Sequence, residues 1–194
     1  VSFKWNTLVC NMNKLFFTFL VFLCSLSLLQ AQDSLTTNNS SFSTQHPFTT
    51  NLDSAKVDSF YQSRGIDLRN CESPKLYYEI YKWYSTCYRY GGNSDKGIDC
   101  SHFVNMLYDK IYGKSLSNSV STIYTQCKHL KKGIAKAKEG DLLFFKIKKK
   151  RISHIGIYLQ NGLFAHASTQ QGVVISDIKQ AYYTKHFFKV GRVE

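Results

Sequence analysis

The chain has 194 residues, of which 43% are hydrophobic and 15% aromatic, with only two prolines. That is enough apolar material for one packed domain with appendages, and it excludes a disordered, collagen-like or repeat-built chain. The formal net charge of +12 favours an anionic partner: nucleic acid, a membrane surface or a polyanionic wall.

The first candidate element in chain order is the apolar run Leu15–Leu29, preceded by Lys14 and followed by Gln30-Ala31-Gln32-Asp33. It is shorter than the roughly 20 apolar residues of a spanning helix. Ala31 suits cleavage, so residues 1–31 read as a secretory signal peptide, with Met12 opening its charged region. The alternative is an uncleaved membrane anchor, against which Thr18, Ser25 and Ser27 interrupt the run. Residues 32–56 are rich in Ser, Thr and Asn and read as a flexible tether. The folded domain is expected over 57–194. Residues 1–31 contribute two lysines and residues 32–54 two aspartates and no other charge, so the remainder carries the whole +12. Export, to the periplasm or cell envelope, argues against nucleic acid as the anionic partner, and cleavage leaves no transmembrane segment. A monomer is expected. Four cysteines follow the leader: Cys71, Cys87, Cys100 and Cys127. In an exported chain they allow two disulfides, one or none.

Within the domain, Ser73 and Pro74 suit a helix cap and first turn, and KLYYEIYKWYSTCY extends toward a stop at Gly91-Gly92. A second helix is expected from near Asp99 to Gly113, and a shorter third over Ser119–Leu130. From Gly140 the pattern changes. DLLFFKI, HIGIYL, LFAHAS, GVVIS and FFKVGRV are short β-branched and aromatic runs between turn signals. The fold class is therefore α+β, with N-terminal helices packed on a C-terminal antiparallel sheet.

The second helix raises a chemical question. Phe103, Val104, Leu107, Tyr108 and Ile111 form one apolar face, and Cys100 shares it from the first turn. Unpaired backbone N–H groups and the helix dipole favour a thiolate there, although position alone fits an inert buried cysteine equally well. A thiol nucleophile needs a base. Of six histidines, His46 lies in the tether, His129 and His186 fall in polar helical or loop contexts, and His102 faces away from Cys100. His154 and His166 lie in consecutive strands. With a two-residue Asn161-Gly162 turn they would point to opposite faces. With a three-residue loop, His166 opposes Gly156 on the face of His154. The second register is expected, with Gly156 leaving room beside the imidazoles for a substrate or the thiol. Cys100 would then attack a carbonyl, and His154 would take its proton and later protonate the leaving amine. His166 would hold the other nitrogen of His154, while helix N–H groups stabilise the oxyanion.

Five segments carry a resemblance: YRYGG at 88–92, GIDCS at 97–101, GDLLFF at 140–145, SHIGIYL at 153–159 and FAHAS at 164–168. In that order they resemble the NlpC-type cysteine peptidases of bacterial cell walls, whose catalytic core is papain-like. The stretch from His166 through GVVIS to Tyr183 is most similar to the Spr (MepS) branch of murein endopeptidases. The resemblance implies a Cys100–His154–His166 triad and a substrate site lined by Tyr88, Asp99 and Ser101; read alone, Tyr88 is packing and Asp99 a helix cap. It implies a cysteine endopeptidase acting on peptidoglycan stems or cross-links, at the diaminopimelate–D-alanine or the D-γ-glutamyl–diaminopimelate bond. An idle peptidoglycan-binding module, or an amidase or acyltransferase on the same core, is the alternative. The family usually has glycine where this chain has His102, which implies a narrower or differently polar pocket. The sequence carries no metal-ligand spacing and no cofactor motif. The basic run Lys146, Lys148, Lys149, Lys150 and Arg151 reads as a solvated hairpin tip, or as an attraction toward an anionic wall.

Overall fold

A computed structural model describes residues 53–131, 133–148 and 151–194. The expected leader and all of the tether up to residue 52 lie outside the described residues.

Helix α1, Ser54–Gln62, straddles the boundary expected at residue 57. The Asp53 side chain caps it by accepting from the Ala55 N–H at 3.2 Å. Its inward residues Val57 and Tyr61 are fully buried, and the Tyr61 hydroxyl donates to the Tyr77 carbonyl at 2.7 Å. Helix α2, Pro74–Trp83, opens at Ser73-Pro74 as expected, but the Ser73 side chain makes no capping bond. The Glu139 carboxylate supplies the acceptor instead, taking the N–H groups of Ser73 at 2.7 Å and Glu72 at 3.1 Å.

α2 ends at Trp83 rather than continuing to Gly91. Ser85 adopts a left-handed φ of 65°, which breaks the helix. The Ser85 N–H then donates to the Val173 carbonyl and the Val173 N–H to the Thr86 carbonyl, both at 2.8 Å. Pairing with a strand edge has overridden helical propensity. Gly172 permits the approach, since a Cβ there would collide with the Thr86 carbonyl.

A two-rung hairpin, β1 Asn93–Ser94 and β2 Gly97–Ile98, leads into α3, Cys100–Tyr112. α3 has the expected ends: Asp99 caps it, and Gly113 at φ 63° closes it in the left-handed conformation. α4, Val120–Thr125, is shorter than expected. The residues just after it, Lys128–His129, form strand β3 and pair with the last strand.

The remaining elements are β4 Leu142–Phe145, β5 His154–Tyr158, β6 Leu163–Ser168, β7 Gly172–Asp177, α5 Ala181–His186 and β8 Phe187–Arg192. The short helix α5 lies between two of the expected strands. The six-stranded sheet runs β3-β8-β4-β5-β6-β7 and is antiparallel throughout. α3 packs on β5 and β6. The larger core cluster joins Phe103, Val104 and Leu107 of α3 to Phe144, Ile155 and Ile157 of the sheet. A second cluster contains Leu143, Phe145, Phe164 and Val190, with Tyr183 and Phe187 against it. Alternation along β4 and the β5–β6 ladder sends these two sets to opposite faces.

Candidate active site

Cys100 is the first residue of α3 and is 6% exposed. Burial pushes its thiol up to about 11, and the neighbouring Asp99 charge adds to this. Backbone N–H groups of Ile155, Cys100 and Ser101 pull the other way. The helix start does favour a thiolate through its backbone N–H groups, but desolvation outweighs it here. The Ile155 contribution is informative, because Ile155 follows His154 on β5. The thiol therefore faces the strand that carries the first of the two histidines.

Asp99 organises the turn before α3. Its Oδ1 accepts from the His102 N–H at 2.9 Å, and its Oδ2 from the Gly91 N–H at 3.0 Å. Burial works to raise this carboxyl, but hydrogen bonds from His102 and Ser101 outweigh it and hold the group below its usual range. Ser101 Oγ lies 2.9 Å from Asp99 Oδ1 and 2.8 Å from the Asn118 carbonyl, so its one proton serves internal acceptors. Tyr88 is half-buried; burial, then the nearby charges of Cys100 and Asp99, pushes its phenol up to about 12. His102 folds back on its own helix start: Nδ1 is 3.0 Å from Asp99 Oδ1, yet it has no well-directed hydrogen bond.

The two strand histidines meet. Ile157 pairs with Ala165 and Tyr158 with Phe164, which is the register of a three-residue loop, Gln160–Gly162. The Leu159 N–H donates to Leu163 at 2.9 Å and the Leu163 N–H to Gln160 at 2.8 Å, with Asn161 and Gly162 at φ 57° and 84°. His154 and His166 consequently share a face, with His154 Nε2 2.9 Å from His166 Nδ1. The rings are edge-on at 4.9 Å and 89°. One expectation fails: Gly156 does not leave a void for substrate. A Cβ there would stand 2.6 Å from Phe164 Cδ2 and 3.1 Å from His166 Cβ. The missing side chain lets Phe164 and His166 close over the strand. Burial lowers His154 to about 4. Burial, with repulsion from His154, holds His166 well below its ordinary range.

Two further polar groups stand behind His166, neither singled out in the sequence: Ser176 Oγ, 3.0 Å from its Nε2, and the Tyr183 hydroxyl, 3.1 Å from it. The GVVIS strand gave Ser176 a place but not a partner, because its register against β6 is a tertiary fact.

With this geometry in view, comparison with known proteins is decisive at the level of family. The NlpC/P60 family matches residues 85–192, which contain Cys100, His154 and His166. The chain belongs to the NlpC/P60 family. A probable endopeptidase NlpC homolog of Haemophilus influenzae is 36% identical over 114 residues, 58% of each chain. The murein DD-endopeptidase MepS/murein LD-carboxypeptidase of Escherichia coli K12 is 33% identical over 132 residues, 67% of this chain and 65% of that one. The chain thus matches roughly three fifths of the length of these relatives. The crystal structure of an NlpC/P60 family protein from Bacillus cereus superposes with a TM-score of 0.56 at 21% identity, over 61% of this chain and 39% of that one. That likeness shows the NlpC/P60 fold.

Other reactive groups of this NlpC/P60 domain are structural in their surroundings. Cys71, Cys100 and Cys127 are free thiols, and burial pushes Cys71 and Cys127 up to about 11. His129 lies on β3, not in the helical or loop context expected; it stacks on Tyr124 at 3.9 Å because β3 pairs with β8. His186 ends α5 with Nδ1 3.0 Å from the Lys146 carbonyl. Lys148 and Arg151 of the basic run, between β4 and β5 in the sequence, form an isolated antiparallel backbone bridge; Lys149 and Lys150 lie outside the described residues. Among the described residues, no group of three His, Cys, Asp or Glu side chains is arranged to hold a metal ion.

Proposed function

We propose that this NlpC/P60 domain is a cysteine endopeptidase of the bacterial cell envelope that hydrolyses peptide stems or cross-links of peptidoglycan. The observation that carries the reading is the 2.9 Å bond between His154 and His166, one residue from the backbone N–H that supports the Cys100 thiol. A nucleophile, a base and a group orienting the base make up the triad arrangement of thiol-dependent acyl transfer. The relatives named above as endopeptidases support it, as does the +12 charge, which favours an anionic polymer.

In this mechanism the resting pair is a neutral thiol and a neutral imidazole. His154 Nε2 is engaged by His166, so Nδ1 accepts the thiol proton as Sγ attacks the scissile carbonyl carbon. N–H groups at the start of α3 stabilise the oxyanion. Collapse breaks the C–N bond, the imidazolium gives its proton to the leaving amine, and water then hydrolyses the thioester with His154 again as base. Tyr88 contacts the substrate beside the thiol, whereas Asp99 and Ser101 shape that wall through the hydrogen bonds they hold. The chain acts after export as a monomer. Among the described residues no helix is long and apolar enough to cross a membrane.

The test is incubation of purified muropeptides with the wild type and with Cys100→Ala, followed by mass analysis. New peptide fragments that vanish with Cys100→Ala are expected. Their masses distinguish the diaminopimelate–D-alanine bond from the D-γ-glutamyl–diaminopimelate bond. Identical profiles from both proteins refute the reading in favour of a binding module.

A further inference from the structure

The hydroxyls behind His166 have no role in a three-residue triad. Ser176 opposes Phe164 in the β6–β7 register, so it shares the face of His166. Its Oγ is 3.0 Å from His166 Nε2, the Tyr183 hydroxyl is 3.1 Å from the same nitrogen, and Ser176 Oγ donates to Tyr183 at 3.4 Å. The three atoms close a triangle inside an apolar shell. Phe164 stacks on His166 at 4.9 Å and stands edge-on to Tyr183 at 5.0 Å, and Phe145 packs on Tyr183 at 5.8 Å. Ser176 is 7% exposed and His166 1%, so these polar atoms must satisfy one another.

The proton positions follow step by step. A neutral imidazole has one N–H and one lone pair, and the partner of one nitrogen decides the state of the other. Ser176 gives its proton to Tyr183, which turns the Ser176 lone pairs toward His166. Tyr183 is half-buried and can direct its own proton outward. His166 Nε2 then carries the His166 proton, and His166 Nδ1 is a bare acceptor. His154 Nε2, 2.9 Å away, must carry the His154 proton. That leaves a lone pair on His154 Nδ1. The reverse wiring, with a hydroxyl donating to His166 Nε2, propagates to a proton on His154 Nδ1 and removes the base.

We propose that Ser176 and Tyr183 are positioning residues that set, through His166, the proton-accepting tautomer of His154. The proposal rests on the reading of His154 as general base. Burial keeps both imidazoles neutral near pH 7, so tautomer rather than charge is the quantity being controlled.

Nitrogen NMR of isotope-labelled histidine tests this directly, in full-length Cys100→Ala protein so that the readout does not depend on turnover. His154 and His166 are both expected as Nε2–H tautomers. Combining Ser176→Ala with Tyr183→Phe should turn both rings into tautomer mixtures. With Cys100 intact, the same pair of changes should lower kcat about fivefold, the scale of one ordinary hydrogen bond, with KM unchanged. His166 found as the Nδ1–H form in the parent overturns the proposal, as do parent-like tautomers in the folded double variant. If that variant does not fold, Ser176→Ala alone is read by the same criteria. Tautomers that shift as expected in the Cys100→Ala background, while the wild type leaves muropeptides uncut, would uphold the relay and overturn the peptidase reading.

Discussion

The two faces of the β5–β6 hairpin are built from alternate residues of the same short segments, yet they obey different rules. The face toward α3 holds Ile155, Ile157, Ala165 and Ala167, all fully buried in the main core. Its requirement is volume, and many apolar side chains could meet it. The opposite face holds His154, Gly156 and His166, with Ser176 beyond them. Its requirement is a set of distances and proton positions inside an aromatic shell. The pleat lets one hairpin be core on one side and polar site on the other. Cys100 belongs to the first face by burial and meets the backbone of β5 at Ile155, next to His154.

Substitutions should separate the two faces. The largest effect is expected from His154→Gln, which removes the proposed base: kcat on muropeptides should fall at least about 10⁴-fold while the circular dichroism spectrum persists. On the helix side, Phe144→Ala should cost about 3–5 kcal/mol by denaturant unfolding and leave the kcat of the folded fraction near wild type. If Phe144→Ala damaged kcat as much as stability, the separation of the faces would fail.

Acid provides the next lever. Folded His154 titrates at about 4 against an ordinary 6.5, and His166 is depressed in the same direction. Between these values the unfolded chain holds protons that the folded chain excludes, so stability rises with pH. It should be whole above about 6.5 and decline as pH falls toward 4. Scanning calorimetry should show Tm dropping between pH 7 and 5, with a shallower slope for the combined His154→Gln and His166→Gln variant.

Gly156→Ala places a methyl against Phe164 and His166 and should cost about 1–3 kcal/mol. Its effect on kcat should exceed that of an equally destabilising change on the helix side. The smallest effect is expected from Asp99→Asn. The amide keeps the cap through Oδ1 but sets its NH2 against the Gly91 N–H, so stability should fall by about 1 kcal/mol. Removing a charge that raises the Cys100 thiol should shift the pH dependence of alkylation to lower pH.

By itself the sequence determined the α+β order, the start and stop of α3 at Asp99 and Gly113, Cys100 on its inner face, and a histidine on each of two consecutive strands. These are local matters: caps, left-handed glycine, and periods of 3.6 and 2 act within a few residues. The family pattern in the five segments extended that to Cys100, His154 and His166 as a proposed triad. Tertiary structure decided what depended on pairing. α2 stopped at Trp83 because residues 85–86 found Val173, and α4 gave way to β3 because Lys128–His129 found β8. Gly156 served close packing rather than an open pocket because Phe164 stands over it. Ser176 and Tyr183 acquired a partner only when the β6–β7 register and α5 brought their hydroxyls to one nitrogen of His166. A hydrogen bond between residues ten and seventeen positions apart leaves no period in the chain, because it is set by how separate elements meet.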